Sequence, residues 1–267
     1  MTRRSTVLSD STTMLRRSLR RMVRYPSMTL MLIGLPILFL LLFVYVFGGT
    51  LGAGLGADLG GPSGGRAEYA NYVTPGILLL TVASGAQGTA ISVAMDMTAG
   101  IIARFRTMAI ARSAVLTGHV LGSLIQTLLS LVVVLAVALG VGFRPSAGPV
   151  EWVAAMGILC LLTLALTWLS VALGLGSKSV ETASNTPMFL TLLPLLGSGF
   201  VPTDSMPDAL RWFADHQPFT PVIETLRGLL LGGPIGTNAA VSVAWCVGIT
   251  VVSYLWAMRL FTRRPAP

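Results

Sequence analysis

Residues 28–47 read MTLMLIGLPILFLLLFVYVF, a run with no charged side chain. A helix rises about 1.5 Å per residue, so about 20 apolar residues are needed to cross the hydrocarbon core of a bilayer. Five further apolar runs follow, at about 72–95, 114–142, 152–176, 185–201 and 236–258. The sequence therefore predicts an all-α integral membrane protein with six transmembrane helices.

The composition of the chain agrees with this class. Of its 267 residues, 54% are hydrophobic and only 10% are charged, whereas soluble domains carry about 25% charged residues. So few charges could not cover a surface that faces water, which excludes an ordinary soluble enzyme and a disordered chain. The division predicted is a cytoplasmic N-terminus (1–27), a six-span transmembrane domain (28–260) and a cytoplasmic tail (261–267).

The fifth apolar run differs from the others. It is short and contains Pro187, Pro194 and the cluster Gly197-Ser198-Gly199. Proline removes a backbone donor and clashes with the preceding turn of a helix. We expect this span to be bent or broken.

Positive charge is concentrated on one side of the predicted spans. The segments 1–27, 96–113, 177–184 and 259–267 hold 14 of the 18 basic residues, and the opposite segments hold only Arg66, Arg144, Arg211 and Arg227. The positive-inside bias therefore predicts a multi-pass protein of the cell membrane with both termini in the cytoplasm. This distribution explains the net charge of +8 without a nucleic-acid partner.

The sequence contains no motif for catalysis or metal binding. It lacks G-x-S-x-G, and the string Gly174-Leu175-Gly176-Ser177-Lys178-Ser179 lacks the spacing of a phosphate-binding loop. The chain is expected not to be an enzyme by itself, with no catalytic residue, no metal and no cofactor of its own.

Polar side chains inside the spans are few and uncharged, apart from His119 near the start of the third. Ion-coupled carriers usually need carboxylates or broken-helix ion sites in the membrane, so this pattern disfavours such a carrier. We expect His119 to form a structural hydrogen bond at the interface. The residues Ser84, Gln87 and Asn185 are candidates for a substrate path, and they suit an amphipathic or lipidic cargo.

The segment Ser11–Tyr25 predicts an amphipathic helix in the plane of the headgroups. Leu15, Leu19, Met22 and Val23 share one face. The opposite face carries Arg16, Arg17, Arg20, Arg21 and Arg24, and Pro26 ends the helix. This interface helix either serves as a charged anchor that sets topology or forms a collar beside a transport path, and both roles can coexist.

The loop 96–113 predicts a second cytoplasmic helix. Ile101, Phe105 and Met108 line one face at helical spacing. Gly100, Arg104, Arg106 and Arg112 complete the segment. Its pattern fits equally a short interfacial helix that closes a loop and a docking helix for a cytoplasmic partner.

Residues 202–233 predict external helices. Asp204 or Ser205 is a capping residue before Pro207, and Thr220 is one before Pro221. Gly232-Gly233 ends the second helix. We expect this piece to pack on or dip into the outer leaflet.

Several strings together resemble membrane permeases of the ABC-2 type, in particular the branch of daunorubicin-resistance drug-export permeases. The strings are Arg24-Tyr25-Pro26, LPILFLLLFVYVFGG at 35–49, GIIARFRTMAIARSAVLTGHVLGS at 100–123, GFRP at 142–145, and FVPTDSMPDALRWFADHQPFTPVIETLRGLLLGG at 200–233. They extend over nearly the whole chain beyond residue 10. Ala109 departs from the pattern, where family members often have proline.

The resemblance implies six spans, an N-terminal interface helix, a cytoplasmic coupling helix in the loop 96–113, and external helices before the last span. It also implies a permease dimer that works with two copies of a separate ATPase subunit, and that subunit holds ATP and Mg. The function implied is ATP-driven export of a drug, polyketide, lipid or glycolipid. A membrane-embedded scaffold without transport and an ion-coupled carrier are the alternatives.

Overall fold

The computed structural model describes residues 26–50, 65–98, 112–177 and 179–263. Within these ranges the secondary structure is helical, without strands. The helices, numbered in chain order, are α1 (Pro26–Leu42), α2 (Arg66–Thr98), α3 (Arg112–Val141), α4 (Pro149–Gly176), α5 (Val180–Asn185), α6 (Met188–Leu192), α7 (Asp208–His216), α8 (Phe219–Leu231) and α9 (Asn238–Arg263). A π-helical turn, Phe43–Phe47, continues α1, and a 3-10 turn, Thr203–Ser205, precedes α7.

Five helices of the described residues are long and apolar enough to cross a membrane. They are Leu32–Thr50, Arg66–Thr98, Leu116–Val141, Pro149–Gly176 and Asn238–Thr262. They coincide with the first four predicted spans and the last one. The last helix runs through Arg263, so it continues into the predicted tail 261–267.

The predicted fifth span, 185–201, is not one helix. It consists of the end of α5, the five-residue helix α6 and a run of turns from 193 to 200. Pro187 stands at the N-cap of α6, and Pro194 lies in the run of turns. The interruption expected from the prolines is therefore present, and the count of six spanning helices is not confirmed.

Helix α2 is the centre of the bundle. It packs against α4, α3, α1, α8 and the short helices α5 and α6. Its 33 residues extend about 50 Å, longer than a hydrocarbon core of about 30 Å. Small residues make the close packing possible: Gly174 of α4 lies against α2, where an added Cβ would come within 2.7 Å of the Ala90 carbonyl oxygen.

The peripheral helices expose large apolar side chains instead. On α3 these include Leu129, Val132 and Val133, and on α9 they include Val252 and Leu255. Such faces would be unfavourable in water, and they suit the acyl chains of a bilayer.

Two buried clusters define the two ends of the bundle. One joins the end of α2, the start of α3 and the ends of α4 and α9, through Val93, Leu116, Leu175 and Phe261. These are the helix ends that adjoin the Arg-rich segments. The other and larger cluster holds Tyr69, Phe143, Phe200 and Phe219 and lies towards the opposite end. The two sets of segments distinguished by charge therefore also lie at different ends of the fold.

Helices α7 and α8 differ in environment. On α7, Trp212 is 65% exposed. On α8, Val222, Ile223, Leu226 and Leu230 are buried, and the helix packs against α9 as well as α4 and α2. Gly232 ends α8 at φ +80°, a left-handed conformation that glycine adopts without strain. Thus α8 is embedded in the bundle, while α7 lies on its surface.

Candidate functional site

The root of the loop between α2 and α3 lies at the Arg-rich end of the bundle. Helix α2 ends at Thr98 and α3 begins at Arg112, so Arg112 belongs to the long helix. The other predicted docking residues, Gly100, Ile101, Arg104, Phe105, Arg106 and Met108, lie outside the described residues. The interface-helix residues Arg16, Arg17, Arg20, Arg21 and Arg24 also lie outside them. Both groups remain predictions.

A histidine and a carboxylate join the two helices at this root. His119 Nε2 of α3 lies 3.2 Å from Asp96 Oδ2 of α2, and the two side chains are 14% and 5% exposed. The structure thus gives His119 a partner on the neighbouring helix, in line with the structural role expected for it. Asp96 lies one residue beyond the predicted span 72–95, and sequence reasoning did not pair it with His119.

The candidate path residues are brought together only in part. Gln87 Nε2 donates to the Ser184 carbonyl at 3.1 Å, which places Gln87 beside the end of α5, next to Asn185. Asn185 itself is exposed. Ser84 is buried and donates its hydroxyl to the Leu80 carbonyl of its own helix at 2.8 Å. Gln87 and Asn185 therefore share one region. Ser84 lies one helical turn away, and its hydroxyl hydrogen is already bound to the Leu80 carbonyl.

Arg227 of α8 binds the run of turns at 193–200 to α2. Its NH2 nitrogen donates to the Ser198 carbonyl at 2.8 Å and to the Tyr72 carbonyl at 3.3 Å. Its NH1 nitrogen donates to Glu224 Oε1 at 2.6 Å. The guanidinium carbon also lies 4.0 Å from the centroid of the Tyr72 ring, a cation–π contact. We call this arrangement the Arg227 clamp.

Further contacts hold the same turns against α2. Tyr72 and Tyr69 donate their hydroxyls to the carbonyls of Ser198 and Phe200, at 3.0 Å and 3.2 Å. Gly76 lies so close to Gly199 that an added Cβ would come 2.8 Å from the Gly199 oxygen. Backbone groups that leave helical geometry inside a membrane must find such partners. The tyrosines and Arg227 supply them.

Some buried polar atoms at these turns make no hydrogen bond within the described residues. Among the described residues, five buried side-chain atoms have no hydrogen-bond partner in the protein, and three of them are Ser198 Oγ, Gln217 Oε1 and Arg227 Nε. Buried polar groups are normally satisfied. Polar groups of another molecule could therefore be accommodated here more readily than in the apolar remainder of the bundle.

Sequence reasoning counted Arg227 as an external charge and did not recognise the clamp. A signal was present, because Arg227 stands within the apolar string LRGLLL and has Glu224 three residues before it. An arginine in such a helix faces protein or a water-filled cavity and is paired with a counter-charge or with carbonyls. The tyrosine partners on α2 could not be identified without the fold.

Known proteins resemble the chain over most of its length. The family model described as ABC-2 type transporter matches residues 10–231. A daunorubicin resistance ABC transporter permease protein, DrrB1 of Streptomyces coeruleorubidus, is 27% identical over 98% of this chain and 89% of that protein. A probable doxorubicin resistance ABC transporter permease protein, DrrC of Mycobacterium tuberculosis, is 25% identical over 67% of this chain and 65% of that protein.

The family match agrees with the helical bundle and with its apolar outer faces. ABC-2 permeases are the transmembrane subunits of their transporters, and they normally work with a separate ATPase subunit. The matched region, residues 10–231, includes every described helix from α1 to α8. The chain therefore belongs to the ABC-2 type transporter family and is a permease related to those of daunorubicin and doxorubicin resistance.

Proposed function

We propose that the chain is the membrane-spanning subunit of an ATP-driven exporter that moves an amphipathic or lipidic substrate out of the cytoplasm or the inner leaflet. The observation that carries this proposal is the similarity to a daunorubicin resistance permease over 98% of the chain. Drugs, polyketides, lipids and glycolipids belong to the proposed substrate class. The chain itself contributes the path and the conformational change, and its partner contributes ATP hydrolysis.

The polar residues of the bundle support an amphipathic substrate. Gln87, Asn185 and Ser84 are uncharged; Ser84 is buried, Gln87 is partly buried and Asn185 is exposed. Such a lining can accept hydrogen bonds from a ring-hydroxylated drug or a headgroup while the apolar part stays among side chains or lipid. We assign these three residues to the substrate path.

The assembly proposed contains two permease copies and two ATPase subunits, with ATP and Mg on the latter. The proposed coupling helix lies in the loop 96–113, whose central segment 99–111 would present Phe105, Ile101 and Met108 to the ATPase. The arginines of the helix Ser11–Tyr25 would contact anionic lipid headgroups. The root of the 99–111 segment supports this arrangement, because α2 connects it directly to the centre of the bundle.

The broken segment 185–200 is proposed to be the sixth membrane crossing. The segment runs antiparallel to α2. Ser184, just before it, contacts Gln87, and at its other end Ser198 and Phe200 contact Tyr72 and Tyr69. The interval from residue 87 to residue 69 corresponds to about 27 Å along a helix, close to the thickness of a hydrocarbon core. With this crossing the chain spans the membrane six times. The Arg-rich end then lies in the cytoplasm, and both termini lie on that side.

Reconstitution of the permease with its ATPase partner in proteoliposomes tests the proposal. We expect ATP to drive movement of daunorubicin or of a short-chain fluorescent lipid across the bilayer, and an ATPase variant unable to hydrolyse ATP to abolish it. Movement driven by a proton gradient without ATP would identify an ion-coupled carrier. Stable assembly with the ATPase, but no movement of any amphipathic probe, would favour a scaffold.

A further inference from the structure

Small and polar residues line the contact between α2 and α3 at helical spacing. Three pairs follow one another along the two helices: Gly85 with Thr127, Thr89 with Ser123, and Asp96 with His119. Residue numbers rise on α2 as they fall on α3, as expected for antiparallel helices. We call these three pairs the α2–α3 seam. It runs from the middle of the bundle to the root of the 99–111 segment.

Each pair of the seam depends on a specific register. Thr89 Oγ1 donates to Ser123 Oγ at 2.7 Å. The side chain of Thr127 fills the space that a Cβ at Gly85 would need, with its own Cβ 3.3 Å from that position. A side chain at position 85 would therefore prevent Thr127 from packing against α2 at this point. Displacement by one helical turn, about 5.4 Å, would separate all three pairs at once.

Most of the seam is shielded from water, although Ser123 and His119 are partly exposed. Thr89 and Thr127 are 3% and 2% exposed, and Asp96 is 3% exposed. Thr89 also donates to the Gly85 carbonyl of its own helix at 3.0 Å and keeps this acceptor. The cost of separation therefore falls mainly on the contact between Asp96 and His119, because little water is present to replace it. The seam therefore resists sliding more than a contact between apolar side chains alone, because apolar contacts can re-form at another register.

We propose that α2 and α3 move as one rigid hairpin during the export cycle, with Asp96 and His119 as positioning residues at its root. This inference rests on the proposed function, in which the 99–111 segment receives the motion of the ATPase. When that segment moves, α2 then moves by the same distance. Because Gln87 of the candidate substrate path belongs to α2, the path residue moves with it. The two helices change position relative to α4, α5 and α9, but not relative to each other.

A disulfide across the seam tests rigidity directly. The variant Thr89→Cys/Ser123→Cys is made in a Cys160→Ala/Cys246→Ala background, assembled with the ATPase and oxidised in proteoliposomes. The two hydroxyls it replaces are 2.7 Å apart, so we expect nearly complete cross-linking and an export rate within about twofold of the reduced protein. The single-cysteine variants, treated in the same way, serve as controls.

Two results of this experiment would overturn the inference. The first is export that is lost on oxidation and restored by reductant, since this would show that the helices must separate or slide. The second is a failure of the cysteines to cross-link in the folded complex, which would mean that the seam is not maintained. Loss of ATP-driven export in the parent protein would instead contradict the proposed function.

Substitutions at His119 test its positioning role. His119→Leu removes the contact with Asp96, and we expect it to lower the substrate moved per ATP hydrolysed by about fivefold, with ATPase association and hydrolysis retained. His119→Gln keeps a donor and should restore most of this ratio. A merely structural role would lower all activities together, along with the thermal midpoint. Unchanged coupling in a well-folded His119→Leu protein would overturn the assignment.

Discussion

Arg227 is accommodated inside an apolar bundle because its terminal nitrogens meet a carboxylate and two carbonyls. Glu224, Tyr72 and Ser198 supply these partners, and the Tyr72 ring covers one face of the guanidinium. A hydrogen bond to a charged group contributes about 1.5–3 kcal/mol to stability. At the scale of a residue, one side chain thus joins α8, α2 and the turns between them.

Arg227→Gln should lower the free energy of unfolding by about 2 kcal/mol, because it breaks the contact with Glu224 and weakens those with the two carbonyls. The measurement is thermal unfolding in detergent, followed by size-exclusion chromatography. Arg211→Gln is the matched control. Arg211 pairs with Asp204 and Asp215 at the surface, with 47% of its side chain exposed, and exposed pairs contribute about 0–1 kcal/mol. Equal destabilisation by the two variants would contradict the role of the clamp.

Phe105→Ala should reduce recovery of the ATPase in a pull-down while leaving the permease inserted and dimeric. An aromatic anchor in a desolvated pocket can cost about 2 kcal/mol on truncation, which is roughly a thirtyfold loss of affinity. Thr107→Ala is the control, since helical spacing predicts that Thr107 stands away from the face shared by Ile101, Phe105 and Met108. Wild-type ATPase recovery by a well-folded Phe105→Ala protein would assign this face to the bilayer.

At the scale of elements, the turns at 193–200 fit against α2 through the contact of Gly76 with Gly199. Gly76→Ala would place a Cβ 2.8 Å from a backbone oxygen that cannot rotate away. Overpacking of this kind costs about 1–3 kcal/mol, so the thermal midpoint should fall. Gly157→Ala in α4 is the control, because nothing lies within 4 Å of a Cβ at that position. A harmless Gly76→Ala would show that the turns shift freely along α2.

The elements differ in how well the sequence predicts them. The long helices follow from apolar length alone, and Pro187 and Pro194 predicted the interruption of the fifth run. The sequence did not predict that α8 is buried in the bundle, because Leu226, Leu229 and Leu230 suit a lipid leaflet as well as a protein interior. The pairs Asp96–His119 and Tyr72–Arg227 join residues far apart in the chain. Only the packing of helices brings them together.

At the scale of the whole molecule, the two ends of the bundle should be accessible from opposite sides of the membrane. Cysteines placed at Glu181 and Ala209, both exposed, test this in a Cys160→Ala/Cys246→Ala background. We expect a membrane-impermeant thiol reagent to label position 209 in intact cells, and to label position 181 only after permeabilisation. A cysteine at Ser5 should be labelled only from the cytoplasm, and one at Ser63 should be labelled from outside. These results would extend the orientation to the N-terminus and the first external loop.

Labelling of position 181 in intact cells, with position 209 protected, would reverse the orientation derived from the arginines. Labelling of both from the same side would exclude a crossing by the segment between them.

From the sequence, the candidate site could be predicted only as far as this level of organisation. Charge distribution assigns the ends, whereas the polar partners inside the bundle depend on the three-dimensional arrangement.

The Arg227 clamp has a consequence for biogenesis. Arg227 follows its acceptor Ser198 by 29 residues, so at about 5–20 residues per second the ribosome adds it about 1.5–6 s later. Throughout that interval Ser198 has been synthesised, whereas the arginine whose guanidinium later binds its carbonyl has not. The turns at 193–200 therefore acquire this partner only after α8 has been synthesised, so this part of the fold is completed later than the packing of the helices that precede it.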